Sequence, residues 1–151
     1  QAPSSQQFVT PRSLHAVSDI MSVREHFSDN LLTASLMGTI GSRGAMDLMA
    51  FVKIGDQLPS LESIKNDPLN AKVPTAPAAV CMVVYKAAQT MSREWIEAWM
   101  TYMVRLDKEA QGLFVQTARH DKYPHRKIVM TNGKFTQWAM DNGYMFAADK
   151  K

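Results

Sequence analysis

Ser92-Arg93-Glu94-Trp95-Ile96-Glu97-Ala98-Trp99-Met100-Thr101-Tyr102-Met103-Val104-Arg105 carries the clearest periodic signal in the chain. Ile96, Trp99, Met100, Met103 and Val104 recur at i, i+3, i+4, the spacing that lines one face of a 3.6-residue helix. Ser92 stands where a cap is wanted, and Arg93, Glu94, Glu97 and Arg105 are left for water. Trp95, Trp99 and Tyr102 together would make a stacking platform, but Trp99 at core spacing reads first as packing.

Downstream, Leu106, Ala110, Leu113, Phe114 and Ala118 continue the same period until Tyr123-Pro124 breaks it, and Asn132 precedes a last helix carrying Phe135, Trp138 and Ala139 with Gly143 as its stop. Upstream, Thr75 with Pro77 opens a helix bearing Val80, Val83, Val84, Ala87 and Ala88. Asp67-Pro68 and Val73-Pro74 force an extended connection before it, preceded by a short helical turn in Leu58-Pro59-Ser60-Leu61-Glu62-Ser63-Ile64. Nearer the start, Thr10-Pro11 begins a helix with Leu14, Val17, Ile20 and Met21 on its apolar face. Ser28 and Asp29 cap a second, with Leu31, Leu32, Leu36 and Ile40, which Gly41 ends. The third, with Ala45, Met46, Leu48, Met49, Phe51 and Val52, is apolar nearly all round and is expected to be buried, with its end near Gly55.

No window alternates with period two, and Ile128-Val129-Met130 is too short for a strand. The expected fold class is therefore all-α, a compact bundle of about seven or eight short helices without a sheet. Residues 1–9 read as a flexible lead-in, 10–57 as a first group of helices and 58–151 as a C-terminal helical subdomain, with the proline-bounded connection as the main internal boundary.

The 151 residues, 46% of them hydrophobic, suffice for a real core, and eleven Met suit helical packing because an unbranched thioether fills irregular gaps. The single cysteine, Cys81, excludes an intrachain disulfide and, lying in Ala78-Ala79-Val80-Cys81-Met82-Val83-Val84, is expected in the core. No apolar run approaches the roughly 20 residues that span a bilayer, and no signal peptide opens the chain, so a cytoplasmic location without a membrane partner is expected.

Catalytic motifs are missing from the sequence. No Gly-rich loop leads to Lys-Ser or Lys-Thr, and Gly38, Gly41 and Gly44 follow no strand, so they read as a helix stop and a loop. His15, His26, His120 and His125 lack the spacing and the partners of a zinc site, and no metal is expected. Cys81 in an apolar run is a poor thiolate nucleophile. Arg12 differs, because it sits on the first turn of a helix, where a guanidinium can reach toward an anion. The formal net charge is only +3, yet Arg119, Lys122, Arg126, Lys127 and Lys134 cluster with His120 and His125 against Asp121 alone.

Thr10-Pro11-Arg12-Ser13-Leu14-His15-Ala16-Val17-Ser18-Asp19-Ile20 resembles the Pro-Arg-led lid helix of MoxR-type AAA+ ATPases. Ala45 to Val52, then Leu58-Pro59 to Ile64, then Asp67-Pro68 through Val73-Pro74, resemble the tail of the bacterial and phage members of that family. The resemblance runs over roughly residues 8–91 and more faintly to Phe135–Gly143. It implies that residues 10–57 are lid-like and that Arg12 is the sensor-2 arginine, reaching the terminal phosphate of ATP. Mg²⁺ and ATP would be held by a core that this sequence lacks, so none is expected in this chain alone and it would not hydrolyse ATP by itself. Its implied partners are that core, neighbouring subunits of an oligomer and a protein client, in a chaperone-like role.

Two other readings stand beside this one. The first is a free-standing nucleic-acid-binding or phage accessory helical protein that uses Arg119, Lys122, Arg126, Lys127 and Lys134 as a phosphate-contacting face. The second is a helical adaptor with no chemistry of its own.

Overall fold

In the computed structural model, which describes residues 9–145, every regular element is helical and no strand occurs among those residues. The lead-in expected over residues 1–9 lies, apart from Val9, outside the described residues. The chain divides between Asp56 and Gln57 into two units, each with its own apolar core. Among the described residues no helix is long and apolar enough to cross a membrane.

The first unit contains α1 (Pro11–Ser22), a 3-10 turn (Arg24–His26) and α2 (Asp29–Asp56). Thr10 and Ser13 form a capping box at the head of α1: Thr10 Oγ1 accepts from the Ser13 amide at 3.1 Å, and Ser13 Oγ accepts from the Thr10 amide at 2.8 Å. Pro11 fills the first helical position, whose amide would have had no helical partner. Ser28 Oγ accepts from the Leu31 amide ahead of α2. At Gly41 the backbone leaves helical geometry with φ 80° and ψ 166°, a region open to glycine, and α2 kinks there. The kink lets Leu32, Leu36 and Ile40 from before it share a core with Ala45 and Met49 from after it and with Val17 of α1.

This core is narrower than the sequence suggests. Met46 and Phe51, expected to be buried, are 65% and 59% exposed, and Leu14 and Leu31 also face solvent. Only one stripe of each helical stretch meets a neighbour within the unit, so the other apolar side chains have nothing to pack on.

The second unit runs through α3 (Leu61–Asn66), α4 (Pro77–Thr90), α5 (Ile96–Met103), α6 (Lys108–Arg119), α7 (Arg126–Met130) and α8 (Gly133–Asp141). Ser60, Asp107 and Asn132 cap α3, α6 and α8 with their side chains. Helix α4 packs on α6 and α3 on α5, with α7 and α8 closing the bundle. Trp99, Tyr102, Met103, Phe114 and Val115 are wholly buried at its centre, and the Trp99 ring lies 5.4 Å from Phe114. Trp99 is therefore packing, as its spacing suggests.

The extended connection between α3 and α4 is held from α5. Tyr102 Oη donates to the Lys72 carbonyl at 2.8 Å, and Arg105 donates to the carbonyls of Pro68 and Ala71, both at 2.8 Å. Arg105 is exposed, as expected, and also satisfies backbone acceptors that proline-bounded chain cannot pair by itself. Three expectations are corrected. Cys81 is exposed, because Val80, Val83, Val84 and Ala87 take the inner face of α4 and Cys81 turns outward one turn before Tyr85. Leu113 is 40% exposed for the same geometric reason on α6. Ser92 does not cap a helix with its side chain and instead offers its carbonyl to the Ile96 amide at 3.2 Å; α4 does begin at Pro77, with Ala76 before it giving no side-chain cap.

Candidate functional site

Arg12 is the second residue of α1 and is exposed, and it forms no ion pair among the described residues. The capping box fixes the backbone on either side of it, so the guanidinium projects from an ordered first turn. That turn contains no acidic residue. A cation beside the positive end of a helix, with no carboxylate to offset it, is electrostatically uncomfortable until an anion arrives.

A second feature of the same unit was not legible in the sequence. Arg24 reaches Asp56, thirty-two residues away, at 2.7 Å, and the two sit on a cleft of about 310 Å³ with Glu25, Asp29 and Lys53 on its rim and Leu32 and Met49 at its base. The pair is largely exposed, so its role is to hold the 3-10 turn against the end of α2 at small net gain.

In the second unit the five clustered cations part company. Lys134, at the start of α8, lies 3.3 Å from Glu97 and donates to Thr101 Oγ1 at 2.9 Å, which ties it to α5. Arg119 ends α6 and lines an apolar cleft with Met130, Phe135 and Ala139. Lys122, Arg126 and Lys127 are exposed on the turn between α6 and α7 and on the start of α7, and Arg126 lies 3.6 Å from Asp121.

The acidity of Glu97 is displaced. The Asn132 side-chain amide donates to it at 2.7 Å and, with Lys134, holds its carboxyl below the ordinary value against a small opposing effect of burial. Asn132 Oδ1 meanwhile accepts from the Phe135 amide at 3.1 Å, so a single side chain caps α8 and staples it to α5. These groups are engaged with one another, which suits architecture better than chemistry.

Among the described residues no three His, Cys, Asp or Glu side chains come together as metal ligands. His125 packs edge-on against Tyr123 at 5.6 Å, and His120 accepts from the Lys122 amide at 3.2 Å through Nδ1. No protein-family model, curated protein or solved structure matches the chain.

Proposed function

We propose that this chain is the C-terminal helical part of a MoxR-like AAA+ ATPase, in which Arg12 contacts the terminal phosphate of bound ATP. The observation that carries the reading is the Thr10-Pro11-Arg12-Ser13 helix start, with its exposed arginine on a first turn free of carboxylates, followed in order by the segments whose resemblance is described above. A capped, rigid turn suits this task, since a phosphate contact contributes most when its donor is positioned before the charge develops.

ATP and Mg²⁺ fit this chain only in part. Arg12 would supply positive charge to the transferring phosphoryl group; the phosphate cradle and the metal ligands would come from the ATPase core. The first unit would then belong with that core, and the second would offer a surface to neighbouring subunits or to a protein client. In this reading the protein acts in the cytoplasm, as part of an oligomer with a chaperone-like role.

The test is ATP turnover by the intact gene product that contains this sequence, with Mg²⁺, for the wild type and Arg12→Ala. A sharp loss of turnover with nucleotide binding retained is expected. Turnover indifferent to Arg12 contradicts the proposal.

A further inference from the structure

We propose that the turn at residues 119–127 is a docking surface for the phosphate backbone of a nucleic acid, engaged through Arg119, Lys122, Arg126 and Lys127. These nine residues hold four basic and one acidic side chain, leaving thirteen of each sign in the rest of the chain, so the whole net charge of +3 resides in this turn. A cluster of positive charge on one turn, in a chain whose other charges balance, presents a local target for a polyanion.

The turn is also held in place. Tyr123 Oη donates to the Ala88 carbonyl at the end of α4 at 2.6 Å, and the Tyr123 amide donates to the His120 carbonyl at 2.9 Å. The Arg126 amide donates in turn to the Tyr123 carbonyl at 3.2 Å. The cations are thus displayed from a pinned loop, and little backbone entropy is lost on binding. Asp121, 91% exposed, lies 3.6 Å from Arg126, a contact that a phosphate exchanges readily.

The side chains of the turn suit a nucleic acid better than an acidic protein. Protein interfaces are anchored by apolar or aromatic side chains that become buried, and residues 119–127 expose no large hydrophobic side chain. A nucleic acid needs no such anchor, because duplex DNA carries about one charge per 1.7 Å and several crowded cations each meet a phosphate. The inference rests on the second unit alone and not on Arg12, so it and the ATPase reading fail separately.

Fluorescence anisotropy of the 151-residue chain with labelled single-stranded and duplex oligonucleotides, at low and raised salt, tests it. Salt-sensitive association with either form is expected. Lys122→Ala/Arg126→Ala/Lys127→Ala should weaken it at least about tenfold and reduce the slope of log affinity against log salt by about 2 on single strands, at about 0.7 per phosphate released. Removal of equal charge elsewhere, as Arg43→Ala/Lys72→Ala/Lys86→Ala, should change affinity less than about twofold. Lys122→Arg/Lys127→Arg should retain binding, which distinguishes lost charge from a lost fold. No salt-sensitive association, equal loss in the control variant, or displacement by poly-glutamate as readily as by unlabelled oligonucleotide overturns the proposal.

Discussion

Trp138 donates its indole N–H to the Gln111 side-chain oxygen at 2.7 Å, and both residues are buried between α6 and α8. Gln111 donates its own amide to the Leu106 carbonyl at 2.8 Å and, more weakly, to the Val104 carbonyl at 3.4 Å, so one polar side chain in an apolar bundle serves three partners. Gln111→Leu removes these hydrogen bonds from a buried site, which costs on the order of 1–3 kcal/mol. Trp95, Trp99 and Trp138 all lie in the second unit, so tryptophan fluorescence during urea unfolding reads that unit alone. An unfolding midpoint for Gln111→Leu equal to wild type would show that the pair contributes nothing.

Gly41 makes the matching prediction for the first unit. With φ at 80° and ψ at 166°, Gly41→Ala places a Cβ in a backbone region that L residues avoid, at a cost on the order of 1–3 kcal/mol. Circular dichroism should show helix melting at lower temperature while the tryptophan transition stays in place. Unchanged helix melting would mean that the kink is not required.

The Glu97–Asn132 contact predicts a weak acid dependence. Because the folded carboxyl is held below its ordinary value, its contribution is full above the unfolded value of about 4.3 and is lost as pH falls through the folded one. The difference in urea midpoint between wild type and Glu97→Gln should therefore be small, since the group is exposed, and should close as pH falls below the ordinary carboxylate range. A difference that persists or grows in acid would contradict this origin.

At the other extreme, burial pushes the phenols of Tyr102 and Tyr123 up to about 12, with the nearby Arg105 cation partly opposing the rise at Tyr102. Their contribution is complete below the unfolded value near 10 and disappears as pH rises through the folded one, so the second unit should loosen between about pH 10 and 12. Phenolate absorbance should show both groups ionising late. Ionisation of all four tyrosines near pH 10 with the fold intact would refute the assigned burial.

The parts of this fold that were legible are those where one face differs from the other. Ile96, Trp99, Met100 and Met103 mark α5 because Glu97 and Thr101 stand on its other face and Arg93, Glu94 and Arg105 flank it, and Pro11, Pro77 and Gly41 mark two helix starts and a kink through their own backbone limits. Where a run is apolar throughout, periodicity has no contrast to report, which is why Cys81, Met46 and Phe51 were expected inside and lie outside. Long-range polar contacts were equally hidden. Nothing adjacent to Arg105 or Arg24 in sequence announces Pro68 and Ala71 or Asp56 as partners, and the linear cluster that includes Lys134 gives no sign that Glu97 draws it to another helix. At the candidate site, sequence supplied Arg12 and its resemblance; the capping box that orders its turn emerged from the geometry of Thr10 and Ser13.

The most direct measurement is steady-state ATP turnover by the intact gene product carrying Arg12→Ala, paired with nucleotide binding measured on the same preparation. The account predicts binding close to wild type and turnover reduced by about 10²-fold or more, the scale expected when a preorganised cation is removed from a transferring phosphoryl group. Wild-type turnover in Arg12→Ala, or an intact product that neither binds nor hydrolyses ATP, would contradict it.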